Sequence, residues 1–388
     1  MSDVVIVGGG IVGCACAYEL AKAGASVTLL EYGKTGMQAT NAAAGMLAPM
    51  IEAGAPGAMM QAGMRALRAY PATALEVEGA CGFDVELRLG GILKVAFTPE
   101  QTGALQRRCG WQRELGLPMQ WLDAAACREL EPRISDRVLG GVFSASEGSV
   151  SNQLLTLGLA RAAIGLGADI RQRTPVTGFA VRGGRVTAVR SGDASFGCDA
   201  IVIAAGARSG QIAARLPGAP ATARAQSTTR RGALLPVRPV RGQMIALGGM
   251  STPIRHIVWG PDGYLVPRAN GLVFAGATVE EVGFRRRTTQ AGTRAMRAMA
   301  IGLVPQLAAA KVHFAWAGLR PGSPDALPII GPLPGWPNVI AATGHYRSGI
   351  LLGPLTGEWV AQGIVAGNWR GVPREFDAGR FSGSPGSR

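Results

Sequence analysis

Two stretches contain a side chain suited to binding a substrate. Arg320 lies between Gly318-Leu319 and Pro321, in a largely apolar run. Guanidinium is the preferred partner of a carboxylate because it can donate two parallel hydrogen bonds, and a following proline favours extended backbone. Tyr264 is one of only five tyrosines. We predict a carboxylate site at Arg320, with an internal salt bridge as the alternative; for Tyr264, core packing is an equal alternative.

A third stretch, residues 344–349, reads Gly-His-Tyr-Arg-Ser-Gly and separates a predicted strand from a predicted helix. The start of a helix carries roughly half a positive charge. Such a turn would therefore stabilise negative charge on a bound cofactor. His345 is a candidate base, but a loop residue that bonds through its backbone is the favoured alternative.

The chain offers no convincing Ser-His-Asp set, pair of catalytic carboxylates or metal cluster. Its six cysteines form no C-x-x-C pair and do not cluster in sequence with the three histidines, which argues against zinc and against a disulfide framework. Hydride transfer to an organic cofactor depends on placement and electrostatics more than on a dedicated acid or base. The sequence therefore favours cofactor chemistry.

The element that would hold such a cofactor is the first thirty residues, 3–31. They read as strand, Gly8-Gly9-Gly10-Ile11-Val12-Gly13, helix, strand and then Glu31, which is the dinucleotide-binding βαβ pattern. Gly8 permits the tight turn, Gly10 lets the backbone approach a diphosphate, and Gly13 allows close packing of helix and strand. A carboxylate at Glu31 accepts hydrogen bonds from ribose hydroxyls and repels a 2′-phosphate. NADP, which carries that phosphate, is therefore disfavoured.

The rest of the chain predicts an interrupted nucleotide domain. Residues 36–49 are rich in Gly and Ala and could lie against a flat ligand, or could simply begin a helix. A buried strand at 200–203 resumes the doubly wound sheet. We predict an α/β fold with an α+β second domain. The predicted boundaries are 1–80, 146–225 and 320–388 for the nucleotide domain, 81–145 and 226–319 for the substrate domain, 217–235 for a flexible insertion and 382–388 for a disordered tail.

Bulk composition narrows the class of protein. Hydrophobic residues make up 47% of the 388 and charged residues 16%, which is typical of a globular protein with a large core. The net charge of +14 suggests nucleic acid, but all except four of the 39 basic residues are arginines scattered along the chain. No run approaches the roughly 18 apolar residues of a membrane span, and no signal peptide is evident. We expect a cytoplasmic protein that binds no nucleic acid.

Longer motifs carry a family resemblance. Besides the fingerprint at 8–13, residues 42–49 read AAAGMLAP, 239–243 PVRGQ and 276–283 GATVEEVG, and residues 316–321 and 344–352 complete the set. With these motifs the chain resembles the FAD-dependent D-amino-acid oxidase/glycine oxidase family. The resemblance implies an FAD-binding Rossmann-like domain of glutathione-reductase type with an interleaved antiparallel-sheet substrate domain, and a possible homotetramer.

The resemblance also implies roles for individual residues. Arg320 would bind the substrate carboxylate, with Tyr264 and Arg347 also on the substrate side. Ser348 departs from the family, where asparagine is common, as does Ser151-Asn152, where an acid-proline pair is usual. The predicted cofactor-binding residues are Gly8, Gly10, Ile11, Val12, Gly13, Glu31, Tyr32, Ala39, Thr40, Ala44, Gly45, Met46, Val176, Gly206, His345, Tyr346, Arg347, Ser348, Gly349, Ile350 and Leu351.

The implied reaction is oxidation of a small amino acid such as glycine, sarcosine or D-alanine. Hydride passes to flavin N5, the imine hydrolyses to a 2-oxo acid and ammonia, and O2 reoxidises the flavin to give H2O2; iminoglycine for the thiazole of thiamine is the implied use. Relatives with covalent flavin use a late cysteine or an early histidine. Here the last cysteine is Cys198 and the first histidine His256, so noncovalent FAD is expected. The alternatives are a D-amino-acid dehydrogenase that reduces a quinone and a non-catalytic flavin- or nucleic-acid-binding module.

Overall fold

The structure is a computed structural model that describes residues 3–217, 234–249 and 254–381. The predicted disordered tail at 382–388 lies outside the described residues, and so do residues 218–233 of the predicted flexible insertion. Leu235, at the end of that predicted insertion, is buried in the core.

The described residues contain both strands and helices, with runs of consecutive strands such as those over residues 169–203 and 238–276. The strands are β1 Asp3–Val7, β2 Ser26–Leu30, β3 Met46–Leu47, β4 Ile92–Ala96, β5 Met119–Asp123, β6 Gly140–Ser144, β7 Gly148–Ser149, β8 Asp169–Arg171, β9 Gly178–Arg182, β10 Arg185–Ser191, β11 Ala194–Gly197, β12 Ala200–Ile203, β13 Arg238–Gly248, β14 Ile257–Trp259, β15 Tyr264–Pro267, β16 Val273–Gly276, β17 Lys311–Gly322, β18 Ile329–Leu333 and β19 Trp336–Thr343. The helices are α1 Ile11–Lys22, α2 Ala39–Ala42, α3 Pro49–Glu52, α4 Ala58–Cys81, α5 Pro99–Glu114, α6 Ala124–Leu130, α7 Asn152–Gly165, α8 Ser209–Ala213, α9 Gln290–Leu303 and α10 Gly349–Ala366.

The first sheet has six strands in the order β18-β19-β12-β1-β2-β8. Its strands are parallel except for β18 at one edge. Successive residues of β1 face opposite sides, as a strand requires. Val4 and Ile6 pack with α1, α7 and α10, while Val5 and Val7 pack with the β9–β11 meander. Burial on both faces explains the continuous apolar runs of these strands.

Close packing of α1 on this sheet depends on Gly13. A Cβ at that position would lie 1.8 Å from the carbonyl oxygen of Gly8, so that a larger residue could not be placed without moving the backbone. The predicted packing role of this glycine is therefore visible in the structure.

The second sheet has eight strands in the order β17-β13-β16-β15-β14-β4-β6-β5, antiparallel except for the parallel pair β14 and β4. Its strands come from residues 92–144 and 238–322, so the chain enters this layer twice. The predicted α/β fold with a second mixed domain is confirmed. The domain boundaries stay predictions, and the one at 319/320 falls inside β17.

One local sequence pattern does not match the structure. Alternating residues from 83 to 97 indicate strands on both sides of Gly90-Gly91, but only β4 forms there. Before it, Glu86 has φ 57° and Arg88 makes an isolated bridge with Ser149. A left-handed residue interrupts the pleat, so the alternation does not produce a regular strand.

Among the helices of the described residues, none is long and apolar enough to cross a bilayer.

Candidate active site

A cavity of about 500 Å³ opens at the carboxyl ends of the parallel strands, between them and β17 of the second sheet. Gly8 follows β1, Glu31 follows β2, Ala204 follows β12 and His345 follows β19, and all four line it. In open α/β sheets this edge is the usual place for a ligand. The topology therefore collects the predicted motifs at one location.

The glycine-rich loop at residues 8–13 is fixed by hydrogen bonds to two polar side chains, those of Glu31 and Thr40. The buried Glu31 carboxylate accepts hydrogen bonds from the N–H groups of Gly9 at 2.7 Å and Gly33 at 2.8 Å. Thr40 Oγ1 accepts from the Ile11 N–H at 3.0 Å. Both contacts fix the turn before α1, so that the start of this helix faces the cavity.

Two helix starts meet at this cavity, which is the observation that decides whether FAD fits. In the part of the chain that the structure describes, no protein group accepts from the N–H groups of Gly10 and Val12 at α1, nor from those of Gly349 and Ile350 at α10. Unpaired donors at a helix start favour an anion. The residues present fit FAD: the α1 loop would hold the diphosphate, and the α10 turn would lie at the flavin end.

His345 is buried beside this second helix start, and its Nε2 lies 2.9 Å from Thr356 Oγ1. Burial lowers the pKa of His345 to about 4, so the imidazole is neutral at physiological pH. With its ring engaged by Thr356, His345 is better suited to shaping the turn than to removing a substrate proton. This geometry favours the loop-residue alternative.

Arg320 reaches the same cavity from β17. Its Nη1 donates to the Thr278 carbonyl oxygen at 3.0 Å, and its side chain lies over Gly242 of the neighbouring strand β13. Tyr264 is buried next to it, with the Trp259 ring edge-on at 5.4 Å between centroids. Burial lowers the pKa of Arg320 and raises the pKa of Tyr264, whose hydroxyl therefore stays protonated.

Gly242 makes the position of Arg320 possible, and this gives a testable prediction. A Cβ on Gly242 would lie 2.3 Å from Arg320 Nη1, so the guanidinium of a Gly242→Ala variant must move. We expect the KM for an amino-acid substrate to rise about tenfold or more, because a misplaced donor loses part of a charge-assisted contact. Steady-state kinetics of Gly242→Ala check this. A matched Gly197→Ala variant, at a position in β11 with open space around its Cβ and no left-handed backbone, should keep the wild-type KM.

The structure brings nearly all predicted site residues together. Arg320, Tyr264 and Arg347 line the cavity, as do the predicted cofactor-binding residues with one exception. Gly13 lies behind the loop and contacts the Gly8 backbone, not the cavity. It supports the site through packing.

Several lining residues escaped the sequence analysis. They have no motif of their own, and only the folded chain brings them to the cavity; among them are Glu52, Arg208, Met244, Phe284 and Arg286. Arg208 stacks between two rings, 5.4 Å from the centroid of Tyr32 and 4.9 Å from that of Phe284. The only sequence signal for this group was the clustering of arginines at 285–287.

Comparison with known proteins agrees with this site. The family model described as FAD dependent oxidoreductase, DAO, matches residues 3–363. The chain is 34% identical to a glycine oxidase of Geobacillus kaustophilus, covering 92% of both proteins. It is 33% identical to a bifunctional protein ThiO/ThiG of Synechocystis, covering 98% of this chain and 54% of that protein.

A solved structure gives the same result. The crystal structure of glycine oxidase from Geobacillus kaustophilus superposes with a TM-score of 0.89 at 31% identity, covering 98% of this chain and 99% of that one. The family match spans both sheets, and the predicted cofactor-binding residues other than Gly13 line the cavity. The chain is an oxidoreductase with FAD as its cofactor and belongs to the DAO family of FAD dependent oxidoreductases.

Proposed function

We propose that this protein is a glycine oxidase, which oxidises glycine and other small amines or D-amino acids and uses O2 as the electron acceptor. The observation that carries the proposal is the half-buried Arg320 guanidinium, which lines the cavity that would hold FAD. The relatives named glycine oxidase support the substrate class. The same resemblance leads us to propose that the imine product serves the synthesis of the thiamine thiazole.

The residues of this chain would bind and orient the amino acid. Arg320 takes the substrate carboxylate, and the protonated Tyr264 hydroxyl donates a further hydrogen bond to it. Loss of a hydride from the α-carbon requires a neutral amine, and the positive charge of Arg320 favours loss of the ammonium proton to solvent. Bound FAD would supply the hydride acceptor. No further catalytic base is needed in this scheme.

We also propose that the flavin is bound without a covalent link and that the protein acts in the cytoplasm, while a homotetramer stays a prediction. The discontinuous domain division given above is likewise part of the proposal. A dehydrogenase that reduces a quinone remains the second enzymatic candidate, although the relatives named above do not favour it.

One experiment separates these candidates. Anaerobic addition of glycine, sarcosine or D-alanine to the FAD-loaded protein should bleach the flavin absorbance, and admission of air should restore it with formation of H2O2. Bleaching without reoxidation by air would indicate the dehydrogenase instead. Absence of bleaching with all three amino acids would contradict the amino-acid oxidase. Acid precipitation of the same sample should release the yellow colour into the supernatant.

A further inference from the structure

Glu52 is a charged cavity residue that the proposed reaction does not yet use. It is the last residue of α3 and lines the cavity together with Arg320, Tyr264 and Arg347. The Nε of Arg347 donates to Glu52 Oε1 at 3.1 Å. Each side chain of this pair is 32% exposed.

The backbone just before Glu52 is held by three side chains, from β4, from α5 and from the loop between β6 and β7. Glu147 accepts hydrogen bonds from the N–H groups of Met50 and Ile51. The Ile51 carbonyl oxygen accepts from Lys94 Nζ at 3.3 Å and from Arg108 Nη1 at 3.0 Å. These contacts hold α3 in place, so that the Glu52 carboxylate stays beside Arg347 instead of moving as an ordinary surface side chain would.

The pair also affects protonation. Burial acts to lower the pKa of Arg347, but the adjacent Glu52 carboxylate together with Tyr264 and Tyr346 outweighs it and holds the pKa above its ordinary value. Arg347 is therefore fully charged at any pH that the enzyme meets.

Three charged side chains line the substrate end of the cavity, and two of them are positive. Arg320 and Arg347 contribute two positive charges, Glu52 one negative charge, and Tyr264 and His345 are neutral. Behind this surface, burial raises the pKa of Glu147 to about 8, so it is mostly protonated at neutral pH. Lys94 and Arg108 add positive charge behind α3, where both donate to the Ile51 carbonyl oxygen, and neither lines the cavity. Among Arg320, Arg347 and Glu52, the charged side chains that line the substrate end, one net positive charge remains, which matches one carboxylate.

We propose that Glu52 is a specificity-determining residue: it neutralises Arg347 and so restricts the site to amino acids with a single anionic group. A substrate with a second carboxylate would meet the Glu52 charge where it needs a free cation, and like charges in an enclosed site are costly. The inference rests on the proposed function for the identity of the first carboxylate. Removing the Glu52 charge should free Arg347 to bind a second one.

The test compares two amines that differ in one carboxylate, N-ethylglycine and iminodiacetate. In Glu52→Gln, the ratio of kcat/KM for iminodiacetate to kcat/KM for N-ethylglycine should rise about tenfold or more above the wild-type ratio. Glu358→Gln is the matched control, because Glu358 belongs to an Arg–Glu pair of similar exposure that does not line the cavity. Its ratio should equal that of the wild type.

A binding measurement separates this inference from the proposed function. The dissociation constants of propionate and malonate, measured by the change in flavin absorbance, need no turnover. In Glu52→Gln the dissociation constant of malonate, relative to that of propionate, should fall about tenfold. In Arg347→Gln the same ratio should rise. Unchanged ratios in both variants, or an equal shift in Glu358→Gln, would overturn the proposal. Wild-type protein that binds these acids but oxidises no amine would refute the oxidase alone.

Discussion

Replacement of Arg320 by alanine should lower kcat/KM for glycine by about 10²- to 10⁴-fold, because two hydrogen bonds to a charged group contribute roughly 3–6 kcal/mol. The guanidinium is half-buried in the cavity wall, and water that replaced it in the variant would carry no charge to pair with the carboxylate. Its bond to the Thr278 carbonyl oxygen would be lost as well. We expect most of the effect in KM, since the carboxylate contact is present in the ground state. Steady-state oxygen consumption measures it.

The control for this prediction is Arg320→Lys. Lysine retains the charge but cannot donate two parallel bonds, so its kcat/KM should fall between those of the wild type and Arg320→Ala. Flavin content of each variant must be measured first, because an empty enzyme would give the same loss. If the Arg320→Ala variant with a full complement of FAD had wild-type kinetics, Arg320 would not bind the substrate.

Replacement of Glu31 by alanine should weaken FAD binding by about 10²-fold or more. The buried carboxylate accepts from the N–H groups of the buried Gly9 and the half-buried Gly33, so its removal loosens the turn that would hold the diphosphate and leaves the Gly9 N–H unsatisfied at roughly 1–3 kcal/mol. The expected bonds to ribose hydroxyls would be lost too. Titration of the apoprotein with FAD, followed by quenching of flavin fluorescence, gives the dissociation constant directly.

Glu31→Gln provides the finer comparison. It keeps the size of the side chain and one acceptor oxygen but removes the charge, so its FAD affinity should lie between those of the wild type and Glu31→Ala. Glu358→Gln, which changes a carboxylate away from the cavity, should bind FAD as the wild type does. Equal affinity in all four proteins would mean that Glu31 does not contribute to the cofactor site.

Local patterns were enough for the cofactor half of the site. The fingerprint glycines, the following helix and Glu31 lie within one βαβ unit, where neighbours in sequence are neighbours in space. The strand-turn-helix at 344–349 was predictable for the same reason, and it does form the start of α10. Alternation in 83–97 was misleading, because side-chain pattern does not report a left-handed backbone at Glu86.

Long-range pairing was beyond such patterns. Glu52 and Arg347 are 295 positions apart, and only the hydrogen bonds that hold α3 bring them into contact. Gly242 reads as an ordinary strand glycine until β13 and β17 pair and place the Arg320 guanidinium over it. His345 remained an open candidate for a base until the fold buried its ring against Thr356.

By itself, the sequence determined the doubly wound nucleotide unit, the class of cofactor and the presence of an arginine suited to a carboxylate, because these depend on residue type and short spacing. Only the tertiary structure decided which charges share the cavity. Arg320, Arg347 and Glu52 come from three separate parts of the chain, and electrostatic energy depends on their distances in space. The first thirty residues would hold the cofactor, and the packing of the second sheet against them shapes the substrate end.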